Sequence, residues 1–384
     1  MNARERLLTT LRHQEPDRVP IDLGGTDVSS ICTGAYIDLM EWLGRDPEPI
    51  VTVNLIEQLP ALDEAFLDND IRADVRQIRE NAPSNWELDI QTVGAYYEFE
   101  NEFGVGLRMP KDGGHYYDLV RHPLQELTPD ALKNYRWPDP TDPSRWDGVG
   151  KRAKALYEDT DYGLVVGAIF GGGPFEFSQY LRGMESFLMD LALSPLLADA
   201  LMERITEFLI EAFSCMLREV GPYIQVIMIC DDIATQQGPM ISPELYRSRI
   251  KPLQARLIES IKSQTDAYVM YHGCGATKDF LPDFIEIGVD IFNPVQVGAV
   301  GLEDTAALKR EFGGDLTFWG GACENQRVLP FGTVAEVRDE TKRRIDDLAP
   351  GGGYVFCPIH NIQNLVPPEN IMAMFEVAHE YGVY

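Results

Sequence analysis

The sequence has little positive charge. Its 33 lysine and arginine residues stand against 61 acidic residues, which gives a formal net charge of −28 at pH 7. Nucleic-acid backbones and anionic membrane surfaces both attract a basic protein face. We therefore expect neither a nucleic acid nor a membrane as a partner, and we interpret the acidity as a well-hydrated surface.

Long hydrophobic runs are also lacking. A helix that spans a bilayer needs roughly 20 apolar residues, and no segment approaches that length. The segment Met1–Glu15 is charged and patterned like a helix, without the apolar stretch or cleavage site of a secretory signal. The sequence therefore predicts a cytoplasmic protein without such a signal.

Cysteine is scarce, with six residues in 384. They are spread over the whole chain: Cys32, Cys215, Cys230, Cys274, Cys323 and Cys357. Without a closely spaced framework, and in a reducing compartment, we expect no disulfides. Cys215 and Cys230 lie in apolar runs and suit a core. Cys274 and Cys357 instead follow apolar runs and have a histidine nearby, which indicates another role.

From Tyr162 onward, short apolar runs alternate with amphipathic helical segments, which is typical of a parallel sheet wrapped by helices. Eight runs are expected to be strands: Val19–Leu23, Ala73–Ile78, Tyr162–Ala168, Val226–Cys230, Ala267–Tyr271, Val289–Phe292, Leu316–Trp319 and Tyr354–Phe356. No GxGxxG follows the first run, which disfavours an open dinucleotide-binding sheet. The sequence therefore predicts an α/β fold, a (β/α)8 TIM barrel, forming a single domain over residues 1–384.

Residues 85–140 interrupt the alternation and are rich in tyrosine, glycine, proline and charge. We predict an excursion of β-hairpins and loops over one end of the barrel. Its aromatic residues have two interpretations, a pocket lining for an aromatic substrate or the packing of the hairpins themselves. They are Tyr96, Tyr97, Phe99, Tyr116 and Tyr117.

Residues with metal-binding side chains follow two of the predicted strands. The residues that follow each strand of a β/α barrel gather at one mouth, where active sites lie. Zinc binds imidazole nitrogen and thiolate sulfur, and a catalytic site uses about three protein ligands. We therefore predict a metal site from His272 and Cys274, with a further ligand from Cys357 or His360. The alternative is that Cys274 is a small buried residue and His272 a hydrogen-bonded residue of the mouth.

Two adjacent acids, Asp231 and Asp232, follow another predicted strand at the same mouth. A carboxylate there can act as a general acid or base, or orient a ligand. It can equally cap the helix that follows. We assign the catalytic role to Asp232 and the capping role to Asp231.

At these residues the chain resembles the uroporphyrinogen decarboxylase superfamily, and the resemblance covers nearly the whole length. The matching motifs are Asp17–Pro20, Gly173–Glu176, Leu181–Gly183, Asp231–Asp232 followed by Ser242–Glu244, and Gly352–Phe356 with His360–Ile362. The superfamily consists of β/α barrels. It includes a decarboxylase of haem synthesis and methyltransferases that move methyl groups to or from a corrinoid protein.

Two features of the resemblance favour the methyltransferase branch. The decarboxylases carry an arginine-bearing motif after the first strand that binds substrate propionates, whereas Asp22–Val28 of this chain contains no arginine. The methyltransferases carry a His-x-Cys motif after the fifth strand, matched here by His272 and Cys274. Their further zinc-binding cysteine, after the last strand, falls in register on His360, with Cys357 three residues earlier.

The resemblance implies a zinc-dependent methyltransferase component with bound Zn²⁺ at the barrel mouth. A small methyl donor or acceptor, with a methoxylated aromatic as the favoured type, would exchange a methyl group with the cobalt of methylcobalamin carried by a corrinoid protein. Two alternatives remain, a cofactor-free decarboxylase that uses Asp232 and a non-catalytic binder of a corrinoid or tetrapyrrole. The sequence leaves the direction of methyl transfer open, and also whether the chain forms a homodimer.

Overall fold

The structure, a computed structural model, describes all 384 residues. Its strands form one parallel sheet and three smaller antiparallel groups. In chain order they are β1 (Thr52–Asn54), β2 (Leu59–Pro60), β3 (Val75–Ile78), β4 (Gln91–Val93), β5 (Tyr96–Glu100), β6 (Gly106–Pro110), β7 (Asp118–Arg121), β8 (Gly163–Val166), β9 (Val226–Cys230), β10 (Ala234–Thr235), β11 (Gly238–Pro239), β12 (Tyr268–His272), β13 (Ile291–Asn293), β14 (Thr317–Trp319) and β15 (Tyr354–Val355).

Helices alternate with the strands along the chain. They are α1 (Ala3–Leu11), α2 (Thr33–Trp42), α3 (Glu64–Phe66), α4 (Pro129–Asn134), α5 (Pro143–Trp146), α6 (Val149–Asp159), α7 (Pro174–Arg182), α8 (Met184–Leu193), α9 (Pro195–Val220), α10 (Pro243–Leu245), α11 (Lys251–Lys262), α12 (Leu281–Glu286), α13 (Thr305–Phe312), α14 (Val328–Phe331), α15 (Val334–Leu348) and α16 (Pro368–Tyr381). None of these helices combines the length and the apolar content that are needed to cross a membrane.

The parallel sheet has seven strands in the order β15-β14-β13-β12-β9-β8-β3, and it is curled. These strands coincide with seven of the eight predicted runs, so the predicted α/β fold with a parallel sheet is confirmed. Alternate strand residues face the inside of the curl, where they form an interior cluster together with Leu7 and Leu11 of α1. Its strand members are Val75, Val165, Val226, Met228, Met270, Ile291, Trp319 and Val355. The sheet is consistent with a TIM-barrel-like fold.

The eighth predicted strand, Val19–Leu23, is not a regular strand. Ile21 makes a single parallel bridge to Phe356. Asp22 N donates to Phe356 O at 2.8 Å, Phe356 N donates to Pro20 O at 2.8 Å, and Asp74 N donates to Ile21 O at 2.8 Å. Pro20 has no N–H and cannot donate to a sheet, which limits the pairing. The segment nevertheless forms backbone hydrogen bonds next to both edge strands, with Phe356 after β15 and with Asp74 before β3.

A buried ionic network holds this segment to the start of β3. Asp74 is 2% exposed and accepts hydrogen bonds from Arg6 Nη1 at 2.6 Å, Arg18 Nη1 at 2.8 Å and Ile21 N at 2.7 Å. Arg6 also donates to Asp17 Oδ1 at 2.7 Å. Asp74 precedes β3, so the network lies at the opposite end from the strand carboxyl termini. The Asp17–Arg18 motif of the sequence is therefore structural.

Residues 91–121 form the antiparallel sheet β4-β5-β6-β7, within the segment for which the sequence predicts hairpins and loops. Phe99 and Tyr117 are buried in it and pack edge to face, with ring centroids 4.9 Å apart. Tyr96, Tyr97 and Tyr116 are exposed. These aromatic side chains therefore belong to the packing and the surface of the small sheet, which favours the second of their two interpretations.

Candidate metal centre

Three side chains with metal-binding atoms meet where β12 and β15 end. The ligand atoms of His272, Cys274 and His360 all lie within 4.8 Å of one another. Cys274 Sγ is 3.6 Å from His272 Nε2. Two such ligands on one tetrahedral zinc ion, with bonds of about 2.1 and 2.3 Å, would be about 3.6 Å apart. The pair thus has the spacing of neighbouring zinc ligands.

The turn after β12 brings Cys274 back beside His272. Gly273 N donates to Asn293 O at 2.9 Å, which extends the pairing with β13. Gly275 then adopts a φ of +97°, and a Cβ there would lie 2.6 Å from Thr235 O. Only glycine fits that combination of conformation and close backbone approach. The His-x-Cys motif is therefore followed by a glycine for a structural reason.

Asn293, at the end of β13, fixes the imidazole of His272. Its Oδ1 lies 2.6 Å from His272 Nδ1, and its Nδ2 donates to Trp319 O at 2.9 Å. Because the amide nitrogen is already engaged, Oδ1 is the acceptor and His272 Nδ1 carries the proton. The lone pair of Nε2 then faces Cys274 and is free for a metal. Sequence reasoning gave Asn293 no role.

The protonation states of the three side chains suit a cation. Burial lowers the pKa of His272, and burial together with His272 lowers that of His360 to about 3, so both rings are neutral near pH 7. Burial, with Asp232 and Glu176 nearby, raises the pKa of the Cys274 thiol. A divalent cation supplies the opposite charge that favours the thiolate. Two neutral imidazoles and one thiolate are a donor set that fits zinc.

Cys357 is not part of this group. It is fully buried in the interior cluster, and its thiol donates to Pro358 O at 3.1 Å. Burial, and then Asp22, raise its pKa. Of the two residues predicted as the further ligand, the structure brings His360 to His272 and Cys274, and it places Cys357 in the packing of the barrel interior.

Asp232 links the loop that carries Cys274 to helix α7. Its Oδ1 accepts a hydrogen bond from Cys274 N at 2.8 Å, and its own N–H donates to Glu176 Oε2 at 3.2 Å. Glu176 Oε1 also accepts from Tyr180 O–H. Burial, and then the charge of Asp232, raise the pKa of Glu176. Sequence reasoning gave Glu176 and Tyr180 no role, although their i, i+4 spacing on a helix that begins at the mouth is a usable signal.

Asp231 caps a helix, but a different one from the helix predicted. Its carboxylate accepts from Glu176 N at 2.7 Å and Phe175 N at 3.3 Å in the first turn of α7, and from Gln254 Nε2 at 2.8 Å. Helix α7 precedes Asp231 in the chain and follows the neighbouring strand, β8. Burial raises the pKa of Asp231 to about 7. Asp231 therefore ties two adjacent strand–helix units together at the mouth.

The mouth offers an anionic substrate little free positive charge. Burial, and then Asp27, raise the pKa of Glu57 to about 8, and Asn361 Nδ2 donates to its Oε2. Arg79 also lies here, just after β3, but it pairs with Asp27. The guanidinium is thus already neutralised by the chain itself. Since a carboxyl with a pKa of about 8 is mostly protonated near pH 7, Glu57 adds no positive charge and little negative charge, and an anionic substrate finds no free guanidinium from Arg79 here.

Comparison with known proteins identifies relatives. The family model described as uroporphyrinogen decarboxylase (URO-D) matches residues 99–381. The uroporphyrinogen decarboxylase of Geotalea uraniireducens is 25% identical over 219 residues, 55% of this chain and 58% of the relative. That of Alkalilimnicola ehrlichii is 24% identical over 286 residues, 72% of each. A protein of Methanosarcina barkeri named methylcobamide:CoM methyltransferase MtaA is 26% identical over 215 residues, 56% of this chain and 58% of the relative.

The chain thus spans 58% of the length of the Geotalea and Methanosarcina barkeri relatives. A solved structure of a methyltransferase from Methanosarcina mazei superposes with a TM-score of 0.62 and 19% identity, over 99% of both chains. At this level of identity the likeness shows a shared fold.

Proposed function

Because the chain belongs to the uroporphyrinogen decarboxylase family, we propose that it is a zinc-dependent methyltransferase of that family. The observation that carries the proposal is the group formed by His272, Cys274 and His360, which we call the metal group. A decarboxylation that proceeds without a cofactor does not require two neutral imidazoles and a thiol at one point. The relative named as a methylcobamide:CoM methyltransferase supports the same branch.

In this proposal His272, Cys274 and His360 hold the zinc ion, and the fourth position is left for a substrate. Bound zinc would supply Lewis-acid chemistry, favouring the thiolate of a substrate thiol or polarising an ether oxygen. Cys274 contributes the negative charge of the ligand set. Asn293 keeps His272 in the tautomer whose Nε2 lone pair is available.

We assign Asp232 the role of the catalytic carboxylate. One of its oxygens, Oδ1, is engaged by Cys274 N, which fixes the carboxylate beside the proposed metal ligand. Its other oxygen is left to bind or orient a substrate. Glu176, whose raised pKa favours the protonated form, supports Asp232 from helix α7 through the Asp232 backbone N–H.

The substrate and partner follow from the same proposal. A small methyl donor or acceptor binds at the mouth, and its methyl group is exchanged with the cobalt of methylcobalamin carried by a corrinoid protein. The aromatic side chains of residues 96–117 offer little support for a methoxylated aromatic as the substrate. The activity assay therefore decides whether this substrate class is used. We also propose that residues 1–384 act as one domain, with Pro20–Asp22 as the eighth member of the barrel.

The test combines metal analysis with methyl transfer. We expect one zinc ion per chain, and we expect His272→Ala and Cys274→Ala each to lose both the zinc and the activity. The matched control is Cys323→Ala, since Cys323 is buried outside the metal group. Activity is measured with methylcobalamin and coenzyme M, and with a methoxylated aromatic and free cob(I)alamin. Full activity in a zinc-free native protein would contradict the proposal.

The decarboxylase alternative makes a different prediction. A porphyrinogen carries several carboxylates, which need unpaired arginine or lysine groups. The mouth instead presents Glu57 and Asp232, and Arg79 is paired with Asp27. We therefore expect no release of CO₂ from uroporphyrinogen. Visible absorbance of the purified protein tests the remaining alternative, a tightly bound corrinoid or tetrapyrrole.

A further inference from the structure

The turn between β1 and β2 brings a carboxyl group to the barrel mouth. Glu57 lies in this turn, and its N–H donates to Asn54 Oδ1 at 3.1 Å. The O atom of the next residue, Gln58, accepts from Thr33 N at 2.8 Å, at the start of α2. The turn is thus fastened both to its own strand and to a neighbouring helix, which holds the backbone of Glu57 in place.

Asn361 binds one oxygen of the Glu57 carboxyl and leaves the other without a partner. The orientation of the Asn361 amide is fixed, because its Oδ1 accepts from Ser30 N at 2.8 Å. Its Nδ2 donates to Asp27 O at 2.8 Å and also to Glu57 Oε2. Glu57 Oε1 has no hydrogen-bond partner in the chain, and it is not among the enclosed polar atoms. Oε1 therefore opens onto the mouth.

The proton of this carboxyl belongs on the unpartnered oxygen. Burial, and then Asp27, raise the pKa of Glu57 to about 8, so the group is mostly protonated near pH 7. The oxygen of a carboxylic acid that accepts a hydrogen bond from an amide is its carbonyl oxygen, which makes Oε2 the carbonyl and Oε1 the hydroxyl. Glu57 therefore presents an O–H donor to the mouth.

The Glu57 carboxyl lies near the metal group. Asn361, which binds it, directly follows His360 in the chain. After burial, three carboxyl groups raise the pKa of the Cys274 thiol, and they are Asp232, Glu176 and Glu57. The charged groups that face Glu57 itself are Asp27, Arg79 and Asp232. A small substrate bound at the metal group therefore shares the mouth with the O–H of Glu57.

We propose that Glu57 is the proton donor for a leaving oxygen, and that the methyl donor is an O-methyl ether; this inference rests on the proposed methyltransferase function. The O–CH₃ bond breaks with its electron pair on the oxygen, and the methyl group passes to the electron pair that cob(I)alamin supplies. The oxygen takes the proton of Glu57 Oε1 and leaves as an alcohol or phenol, and water then reprotonates Glu57. A thiol acceptor would instead release a proton, which a protonated carboxyl cannot take up.

Methyl transfer from anisole and from para-nitroanisole to free cob(I)alamin tests the role of Glu57. Glu57→Gln keeps an acceptor for Asn361 but loses the acidic proton. Its kcat with anisole should fall by at least about 100-fold with KM little changed, as expected for the loss of a general acid. The loss should be smaller with para-nitroanisole, because nitrophenolate leaves readily without a proton. Glu57→Asp keeps a carboxyl and should retain more activity than Glu57→Gln.

Two further measurements do not depend on activity. Glu57→Gln should still bind one zinc ion per chain, since Glu57 is not in the metal group. The infrared difference spectrum between wild type and Glu57→Gln at pH 7 should contain the carbonyl band of a protonated carboxylic acid. The matched control is Glu324→Gln, a buried glutamate whose two oxygens already accept from backbone N–H groups. This control should keep its activity with both ethers.

Three results would overturn the role of Glu57 without affecting the proposed zinc-dependent methyl transfer. They are an unchanged kcat of Glu57→Gln with both ethers, the absence of the carbonyl band, and a wild-type protein that methylates coenzyme M but uses neither ether. A wild-type protein that is fully active without zinc would instead contradict the proposed function.

Discussion

At the scale of single residues, the metal group depends on which side chain of the last loop reaches the mouth. Val355 and Cys357 both belong to the interior cluster, so the alternation of strand side chains continues past the end of β15. The chain then turns, and His360 reaches the mouth beside His272, with ring centroids 5.7 Å apart. The alternation is visible in the sequence, but the turn that follows it is not.

Two substitutions distinguish His360 from Cys357 as the third zinc ligand. His360→Ala should weaken zinc binding by at least about 100-fold, because it removes one of about three protein ligands. Cys357→Ala should keep full zinc affinity and lose only packing energy. Competition with a chromophoric chelator measures both affinities. If Cys357→Ala loses zinc while His360→Ala retains it, the ligand assignment is wrong.

Asp22 provides a residue-scale prediction for pH dependence. It is fully buried and accepts hydrogen bonds from Gly25 N at 2.8 Å and Trp319 Nε1 at 2.8 Å. Burial raises its pKa from 3.8 to about 6, against the opposing effect of those bonds. Since the folded-state pKa is the higher one, folding favours the protonated form. The stability from this group is complete below pH 3.8 and is lost as the pH rises through 6.

Asp22→Asn removes this titration. The free energy of unfolding of the variant minus that of wild type should therefore increase from pH 5 to pH 7, by about 1 kcal/mol. Urea denaturation at the two pH values gives the difference, and pH effects from other groups cancel in it. A difference that stays constant or falls would show that Asp22 does not titrate in this range.

At the scale of elements, helix α7 is attached to the mouth through its first turn. Asp231 accepts two of its backbone N–H groups and also binds Gln254 of α11. Asp231→Ala should lower the free energy of unfolding by about 2 kcal/mol, since it removes a helix cap and leaves the buried Gln254 amide with fewer acceptors. Urea denaturation measures the loss.

A second helix cap is the control for this prediction. Thr333 caps α15 in an exposed capping box with Glu336. Thr333→Ala should cost about 1 kcal/mol or less. Methyl transfer should fall with Asp231→Ala and stay unchanged with Thr333→Ala, because α7 carries Glu176 and α15 lies outside the metal group. Equal effects of the two substitutions would show that Asp231 is an ordinary cap.

Strands could be predicted from the sequence where the local pattern of apolar residues and the residues that follow it both indicated a strand. Six of the seven parallel strands are short apolar runs that end in, or are closely followed by, glycine, aspartate, asparagine, histidine or cysteine, and all seven contribute side chains to the interior cluster. His272 and Cys274 are brought together by the turn after one such strand. The contributions of Asn293 and Glu176 come from neighbouring elements. Contacts between elements carry no local pattern, so sequence reasoning missed them.

At the scale of the whole molecule, the N-terminal segment joins the first and last strands of the parallel sheet. Backbone hydrogen bonds from Pro20–Asp22 reach Phe356 on one side and Asp74 on the other. Sequence periodicity indicated a strand here, but Pro20 reduces its pairing, so side chains contribute much of the attachment. The Asp74 network with Arg6 and Arg18 is that contribution.

Asp74→Ala tests how much this network contributes to holding Pro20–Asp22 against β3. Asp74→Ala leaves two partly buried guanidinium groups and Ile21 N–H without their shared acceptor. It should lower the free energy of unfolding by at least about 3 kcal/mol, as expected for removing one member of a buried ion pair. The control is Glu207→Gln, which breaks an exposed pair with Arg204 and should cost about 0.5 kcal/mol or less. If both substitutions cost the same in urea denaturation, the closure of the sheet rests on the backbone hydrogen bonds of Pro20–Asp22 alone.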